Sequence, residues 1–321
     1  MAMTHFLLTP AARSLSLAQV LRLSDEEAFD VFKRVRFAAN DGEPFCPHCG
    51  VLKVYTLAET PIRWKCSGCR RKFSVTSGTL FHSRKLAIRD YLAVIALFVN
   101  GVKGTSALQI SRDMNINPKS AFVLLHKLRE GMGSTLGANE LSGEVEIDGA
   151  YVGGAIRPEN RKADRKSHRG ENNPKRRVVV VARERGGQAV TWVVDRESDA
   201  VPMIRRQVAS GTTVHADESA AWNILHASYP MLRVNHSVEY RSDEGGCTNQ
   251  AESFFARLRR AEFGQYHRIS GQLLHAYANE CAWRENNRRN DNGRNWRLAT
   301  GAALAHRKSA RWTGYWHRSA A

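Results

Sequence analysis

The chain has 321 residues, too many for one small hydrophobic core, and should fold as two or three domains. Its composition, 42% hydrophobic and 25% charged, is that of a soluble globular protein. Lys and Arg number 48 against 31 Asp and Glu, which gives a net charge of +17. This charge predicts a polyanionic partner such as DNA or RNA, although a ribosomal protein or a merely basic enzyme would share it.

The longest apolar run, Tyr91–Val99, has nine residues, far fewer than the ~20 that a helix needs to cross a bilayer. Near the N-terminus Phe6–Leu8 is apolar, but no charged start followed by a long apolar stretch marks a signal peptide. We therefore expect no membrane segment and a cytoplasmic location.

Residues 1–40 form the first predicted segment, which is helical. Ser24 and Glu27 have the spacing of a capping box, and an amphipathic helix should run from there to about Ala39. Its phenylalanines should anchor it to a neighbouring segment: Phe29, Phe32 and Phe37.

Four of the six cysteines lie in the second segment, residues 41–85, with the spacing C-x2-C-x16-C-x2-C. Two Cys-x-x-Cys turns can close one tetrahedral Zn²⁺ site, and a cytoplasmic setting disfavours the alternative of two disulfides. Three short strand-like runs complete the layout of a zinc ribbon: Val51–Tyr55, Ile62–Lys65 and Arg71–Val75. The zinc should be structural, because four thiolates leave no open position for a substrate. The predicted ligands are Cys46, Cys49, Cys66 and Cys69.

The third segment, residues 86–140, has a helical pattern. A short helix from Thr105, a turn at Met114–Asn117 and a second helix from Pro118 follow the helix-turn-helix plan, in which the second helix reads DNA. A small helical bundle would show much of the same pattern. The candidate DNA contacts on the second helix are Lys119, Lys127 and Arg129.

Beyond Gly143 the pattern changes to strands. The predicted strands are Glu144–Asp148, Val178–Ala182, Gln188–Asp195 and Thr212–Asp217, with a helix at about 200–209. A basic stretch, Arg157–Arg177, is typical of a loop, since it carries nine Lys or Arg against three acids. Three antiparallel strands, a helix, a further strand and then helices is the element order of a ribonuclease-H-like sheet, which we assign to residues 141–290.

Three acids stand where such a sheet would bring them together. Asp148 ends the first predicted strand, Asp217 ends the fourth, and Glu252 follows 35 residues later in the first turn of a helix. Carboxylates suit Mg²⁺, and two such ions about 4 Å apart support in-line phosphoryl transfer. Each acid also has a purely structural interpretation: a hairpin turn at Asp148-Gly149, a helix cap at Asp217, and a capping box that joins Glu252 to Asn249.

Several motifs together resemble those of the DDE transposases of bacterial insertion sequences, in the ISXO-like branch with an N-terminal zinc ribbon. They are "CPHCG", "WKCSGCRRKFSVTSGTLF", "EIDGAYVGG", "VHADESAAW" and "TNQAESFFARLRRAEFGQYH", and they cover nearly the whole chain. The resemblance implies an α+β multi-domain protein with a zinc ribbon, a helix-turn-helix-like region and a ribonuclease-H-like catalytic domain. It also implies Mg²⁺- or Mn²⁺-dependent cleavage of element ends, followed by attack of the freed 3′-hydroxyls on target DNA.

By position, the resemblance assigns catalysis and metal binding to Asp148, Asp217 and Glu252. Some relatives have Asn as the third residue, which leaves Asn249 as the alternative to Glu252, but a charged oxygen suits Mg²⁺ better than an amide. The family often has a basic residue two helical turns past the third acid. Here that residue is Arg259, and we take it with Arg260 and Asn249 as candidate DNA contacts.

The C-terminal segment, residues 291–321, is basic and aromatic. The stretch from Arg284 to Arg318 contains nine Lys or Arg and only two acidic residues, with aromatic residues between them. This composition suits nucleic acid, and equally a helix packed through its tryptophans. Three histidines near the acids are expected to be ordinary core or surface residues: His215, His236 and His267.

The sequence thus predicts a transposase that binds the terminal inverted repeats of an insertion sequence and target DNA, as a dimer or larger multimer, at the bacterial nucleoid. Two alternatives stay open: a zinc-ribbon regulator without chemistry, and a ribonuclease-H-like nuclease that cuts without joining. A regulator has no need of three acids together. Only the family resemblance separates joining from cutting alone.

Overall fold

The computed structural model describes residues 6–58, 60–153, 161–164, 176–235, 242 and 245–317. Its α-helices are α1 Leu17–Leu21, α2 Asp25–Arg36, α3 Ile88–Asn100, α4 Ala107–Asp113, α5 Pro118–Gly133, α6 Val201–Gln207, α7 Asn249–Ala261, α8 Leu274–Asn286 and α9 Asn292–Ala305. Its strands are β1 Val54–Leu57, β2 Thr60–Cys66, β3 Lys72–Ser74, β4 Glu144–Gly153, β5 Arg176–Glu184, β6 Ala189–Val194, β7 Thr213–Asp217 and β8 Met231–Val234. The chain divides into two units, residues 1–135 with 287–321 and residues 136–286.

In the first unit, the C-terminal helix α9 packs against α2, α3 and α5. The indole of Trp296 donates a 2.9 Å hydrogen bond to the carbonyl oxygen of Leu92 on α3. Gly131 on α5 permits a close approach of two backbones, since a Cβ there would lie 3.1 Å from the backbone nitrogen of Ala303. The segment 291–321, which charge and aromatic content distinguish in the sequence, therefore contributes a helix to the core of this unit.

The aromatic residues after α9 also pack onto α5. Trp312 is 3% exposed and stacks on His126, with ring centroids 4.3 Å apart. Trp316 lies 5.9 Å from the ring of Phe122 and remains 48% exposed. Packing thus accounts for Trp296 and Trp312, and of these three indoles only that of Trp316 is open enough to stack on a base.

The zinc-ribbon sheet has the order β1-β2-β3, with antiparallel pairing throughout. Its apolar face centres on Trp64, whose ring lies 5.6 Å from that of Phe73 on β3. Helix α2, which opens with the predicted capping box, covers this face through Phe29 and Phe37, at 5.9 and 5.8 Å from Trp64. The predicted ribbon and its helical anchor are confirmed.

Helices α4 and α5 form the predicted pair joined by a short turn. Asn117 caps α5 by accepting a 2.9 Å hydrogen bond from the backbone N–H of Lys119, and Pro118 occupies the first helical position, as expected for a residue without an N–H. The two helices pack against each other. The helical region therefore has the element order of a helix-turn-helix.

The second unit is built on a five-stranded sheet with the order β6-β5-β4-β7-β8. Strands β4, β5 and β6 pair antiparallel, whereas β7 and β8 pair parallel to β4 and to each other. This is the ribonuclease-H-like arrangement that the element order predicted. The fifth strand, β8, was not predicted.

Strand β4 corrects one expectation about the first acid. It is a single strand from Glu144 to Gly153, paired without interruption to β5 from Val145 onward, so Asp148 lies in its middle and not at its end. The Asp148-Gly149 pair is therefore no hairpin turn. The pairing of β4 with β7 ends next to Asp148, since its last residue pair is Ile147 with Ala216.

The two faces of this sheet carry separate apolar cores. On one face Val145, Ile147 and Val180 pack with residues of α6 and with Trp222. On the other face Ala150, Val152 and Val179 pack with α7 and α8. Since successive side chains of a strand point to opposite faces, Glu144, Glu146 and Asp148 share the face that α7 and α8 cover.

Two earlier expectations fall on residues whose structure is not described. The predicted basic loop Arg157–Arg177 lies largely outside the described ranges, which include only 161–164 and 176–177 of it, and His236 lies outside them too. Within the described ranges, no helix combines the length and apolarity needed to cross a membrane.

Candidate active site and zinc centre

Two of the predicted acids lie side by side on neighbouring strands. The parallel register of β4 and β7 pairs Ile147 with Ala216, so the next residues, Asp148 and Asp217, stand level with each other. Both are half-buried. The sheet therefore brings together two carboxylates that are 69 positions apart in the chain.

Asp217 is held in place by its neighbours. Its Oδ1 accepts hydrogen bonds from the indole N–H of Trp222 at 2.9 Å and from the backbone N–H of Ser219 at 3.2 Å. Its backbone carbonyl accepts a 2.7 Å bond from Nε of Arg233. Because both side-chain bonds reach Oδ1, the other carboxylate oxygen, Oδ2, is left available for a cation.

Asp148 carries the clearest electrostatic signature of the site. Its Oδ1 accepts a 2.7 Å hydrogen bond from the backbone N–H of Gly149. The pKa of Asp148 is nevertheless raised to about 7, first by burial, then by the negative charge of Asp217, with further contributions from Glu197 and Glu252. The predicted third acid thus lies close enough to act on the first.

Glu252 is exposed in the first turn of α7, and a buried acid on β4 holds the start of that helix. Oε2 of Glu146 accepts hydrogen bonds from the backbone N–H groups of Gln250 at 2.7 Å and Ala251 at 3.2 Å. The expected cap by Asn249 is therefore wrong: α7 begins at Asn249 without a side-chain cap of its own, and Glu146 replaces it.

Glu146 is itself paired, which explains how it can be only 1% exposed. Its Oε1 accepts a 2.9 Å hydrogen bond from Nε of Arg185, and the same guanidinium contacts Glu144 and the thiol of Cys247. His215 is buried beside this group, with Nε2 3.2 Å from Glu144. Burial and the charge of Arg185 lower the pKa of His215, so it packs here as a neutral ring, with Nδ1 3.3 Å from the Arg185 guanidinium.

A fourth carboxylate, Glu197, lies at the site, and no sequence pattern pointed to it. It begins the short 3-10 helix Glu197–Ala200 after β6, and its Oε2 accepts a 2.7 Å hydrogen bond from Oγ of Ser219. Its Oε1 occupies the space beside Gly149, where an added Cβ would lie 2.7 Å from it. The pKa of Glu197 is raised by burial and by the charge of Asp217, against the opposing effect of the Ser219 bond.

The donor set at this site fits hard divalent cations. Within the described ranges, the ribbon cysteines form the only group of three or more potential ligands whose atoms all lie within 4.8 Å of one another, so the carboxylates are spread more widely than a single ion requires. Two ions about 4 Å apart, each about 2.1 Å from its oxygens, accept carboxylates up to about 8 Å apart. Oxygen-only ligands select Mg²⁺ or Mn²⁺ over softer metals.

The candidate DNA contacts on α7 lie at the surface. Arg259, Arg260 and Asn249 are all exposed. Arg259 is seven residues beyond Glu252, so the two share one face of α7.

The three candidates on α5 have different environments. Lys119 is exposed, with its Nζ 5.4 Å from the ring centre of Trp316. Burial lowers the pKa of Lys127. Arg129 is 2% exposed, and its guanidinium lies 5.4 Å from the ring centre of Phe98, so the structure does not support it as a DNA contact.

The four ribbon cysteines already form a metal-binding geometry. Sγ of Cys46 lies 3.5 Å from that of Cys69, and Sγ of Cys49 lies 3.5 Å from that of Cys66. A tetrahedral zinc with Zn–S bonds of about 2.3 Å requires S–S separations of about 3.8 Å. Burial raises the pKa of Cys46 to about 12, whereas the backbone N–H of Val51 lowers that of Cys49 to about 7, so zinc binding releases protons from this site.

Two protein-family models match this chain. Residues 140–286 match the family model described as ISXO2-like transposase domain, and residues 23–72 match the transposase zinc-ribbon domain. The first match contains Asp148, Asp217 and Glu252, the second contains all four ribbon cysteines, and together they cover more than half of the chain. The chain therefore contains an ISXO2-like transposase domain and a transposase zinc-ribbon domain.

Individual proteins similar to this chain are distant in sequence. The uncharacterized protein in transposable element ISH50 of Halobacterium salinarum is 22% identical over 141 residues, which are 43% of this chain and 46% of that protein. The chain thus matches about half the length of this curated relative. Among solved structures, the Mos1 strand transfer complex aligns over 69% of this chain and 76% of that chain, with 10% identity and a TM-score of 0.27. The Mos1 transposase paired-end complex with the left transposon end aligns over 68% and 80%, with 8% identity and a TM-score of 0.21.

We expect loss of zinc to unfold the ribbon, because zinc closes the turn between β2 and β3 and the ribbon core is small. The variant Cys66→Ser removes a buried ligand, and Ser67→Ala, at the adjacent position that is no ligand, is the matched control. Zinc content by mass spectrometry and thermal unfolding should change in the first variant only. A Cys66→Ser protein with a full equivalent of zinc and an unchanged melting temperature would contradict the assignment.

We expect Asp148 to titrate near pH 7 in the metal-free protein, as its raised pKa implies. Because this carboxyl binds its proton more tightly when folded, its ionisation should lower the free energy of unfolding as the pH rises from about 4 to 7. Asp217→Asn should lower the pKa of Asp148 by removing the nearest negative charge, whereas the exposed neighbour change Glu218→Gln should not. Carbon-13 NMR of the carboxyl groups measures both, and an unshifted Asp148 in Asp217→Asn would show that the two acids are not adjacent.

Proposed function

We propose that this transposase binds the ends of a mobile DNA element and catalyses their Mg²⁺- or Mn²⁺-dependent cleavage and transfer to target DNA. The observation that carries the proposal is the adjacency of Asp148 and Asp217 on neighbouring strands, with Glu252 near enough to raise the pKa of Asp148. An oxygen donor set of this kind, inside a transposase domain, matches the needs of phosphoryl transfer. When bound, the metal pair supplies an activated attacking oxygen and stabilises the leaving oxygen.

The residues of the chain have separable roles in this proposal. Asp148 and Asp217 hold the metal ions with the carboxylate oxygens that their own neighbours leave open, and Glu252 completes the set from α7. We prefer Glu252 to Asn249 as the third residue, because its charge acts on Asp148 and a carboxylate binds Mg²⁺ better than an amide. Ser219 and Trp222 keep Asp217 in one orientation.

DNA is held by cations on the proposed catalytic helix and in the first unit. Arg259 and Arg260 lie at the exposed end of α7, and a guanidinium can clamp a backbone phosphate with two parallel hydrogen bonds. Lys119 at the start of α5 is the best-placed cation of the helix-turn-helix. A net charge of +17 supports association with DNA by counterion release. Since two element ends must be joined together, we propose a dimer or larger multimer as the active form.

The rival functions fit the site less well. A regulator without chemistry gains nothing from holding Asp148 and Glu197 where burial and the charge of Asp217 raise their pKa values, since that placement has an electrostatic cost. A nuclease that cuts without joining would use the same carboxylates, so the family match is what favours strand transfer over it.

We expect Asp217→Asn to abolish cleavage and joining of DNA that carries the element ends, by more than about a hundredfold, with DNA binding almost unchanged. The amide keeps the size of the side chain and removes the charge that holds the metal. Glu218→Gln is the matched control, since it changes the adjacent exposed acid. Product gels and fluorescence anisotropy measure the two activities, and normal joining by Asp217→Asn would overturn the site.

We also propose that Glu197 belongs to the metal site, and a pair of variants separates its charge from its position. Glu197→Gln removes the charge, whereas Gly149→Ala pushes the carboxylate aside without changing any acid. Both should weaken Mn²⁺ binding about tenfold, as measured by electron paramagnetic resonance, and should shift the Mn²⁺ requirement of joining to higher concentration. The control Asp199→Asn alters the next acid of the same 3-10 helix. Unchanged Mn²⁺ affinity in both variants would remove Glu197 from the site.

A further inference from the structure

One face of the β2–β3 hairpin in the zinc ribbon is a row of cations. The register places Lys65 directly opposite Lys72, and Arg63 opposite Ser74, while Trp64 and Phe73 share the other face. Like charges directly opposite each other destabilise a sheet. Such an arrangement indicates that this face has a use for positive charge beyond folding.

A cavity of about 460 Å³ is lined by Arg63, Lys72 and Ser74 of this face and also by Phe73, whereas Lys65 is not among its lining residues. Its charged lining residues are Arg63, Lys72 and Arg84, and its hydroxyl groups come from Ser74, Thr76, Ser77 and Ser83. Of the described residues that line it, none is acidic. Because its lining carries three cationic side chains and no acidic one among the described residues, the cavity suits a small anion.

The electrostatics of the cavity are consistent with an anionic ligand. His82, also in the lining, has its pKa lowered by burial and then by the positive charges of Lys308 and Lys127 and by His48. Its Nδ1 accepts a 3.2 Å hydrogen bond from the backbone N–H of Gly78. The cavity wall therefore already experiences a positive potential from groups outside the lining.

Three hydroxyl groups are gathered at one side of the cavity. Oγ of Ser74 lies 3.4 Å from Oγ1 of Thr76 and 3.3 Å from Oγ of Ser77. Hydroxyl hydrogens rotate to suit a partner, so the cluster can turn its donors toward an anion. Guanidinium, ammonium and hydroxyl donors together form the set that proteins use for phosphate.

We propose that this cavity binds a phosphate group and that, on the proposed function, the phosphate belongs to the DNA backbone. The ribbon then positions the DNA without reading its sequence, because phosphate contacts carry no base information. Zinc contributes indirectly. Its ligands Cys66, at the end of β2, and Cys69, in the turn before β3, fix Arg63 and Lys72 relative to each other.

The first test measures DNA binding by Arg63→Ala and Lys72→Ala, with Lys53→Ala, an exposed ribbon lysine outside the cavity, as the control. Each cavity variant should bind duplex DNA about five- to tenfold more weakly at low salt, and the slope of log affinity against log salt should fall by about one. The loss should be equal for element-end DNA and unrelated DNA. Zinc content confirms that each variant keeps a folded ribbon.

The second test identifies the source of the phosphate by titrating inorganic phosphate and following the Arg63 and His82 signals by NMR. Weaker DNA binding by the cavity variants supports a backbone phosphate. Binding of inorganic phosphate that the variants lose, with DNA binding unchanged, assigns the cavity to a soluble phosphate compound instead. If DNA binding and phosphate binding are both unchanged in the variants, the cavity proposal is wrong, even where the wild-type protein binds and joins DNA. If the wild-type protein binds no DNA at all, the proposed function itself is wrong.

Discussion

The proposed active site depends on the carboxylate of Glu146, which joins the strand of the first acid to the helix of the third. It caps α7 by accepting hydrogen bonds from Gln250 and Ala251, and it pairs with Arg185. Hydrogen bonds to a charged group contribute roughly 1.5–3 kcal/mol, and a negative charge at a helix N-terminus is favourable in addition. These interactions offset the cost of burying a charge. Because Glu146 lies two residues before Asp148 on β4, they also fix the start of α7, and with it Glu252, relative to Asp148.

With strand and helix joined in this way, the site gathers acids that repel one another. Asp148 and Asp217 are brought level by the parallel register, and Glu197 is held beside them by Ser219 and by the space at Gly149. The raised pKa values of Asp148 and Glu197 are the direct consequence of that crowding and of burial. A protein can keep such a cluster where a bound cation supplies the missing opposite charge.

The sequence predicted those features that local patterns determine, and it missed those that long-range packing determines. The zinc ribbon, the capping box of α2 and the order of β4, β5, β6 and β7 along the chain followed from short motifs and periodicity. In the stretch "DRESD", Glu197 looks like an ordinary surface acid. Strands β4, β6 and β7 run in the same direction, and only this fact shows that an acid just past β6 lies at the same end of the sheet as Asp217. The cap on α7 was misassigned to Asn249, because its true partner Glu146 is 104 residues away in the chain. Arg129 was misassigned because helical spacing did not show that it packs over Phe98.

The two units show the same physical principle with opposite charges. In the second unit, acids are held close together where a divalent cation would relieve their repulsion, and in the ribbon Arg63 and Lys72 line a cavity where a phosphate would neutralise their charge. Each cluster lowers the stability of the free protein, and each gains stability when its ligand binds the folded state. Mg²⁺ also binds the phosphate groups of DNA. A protein that keeps both kinds of cluster is therefore most stable when the metal and the nucleic acid are bound together, as a metal-dependent reaction on DNA requires.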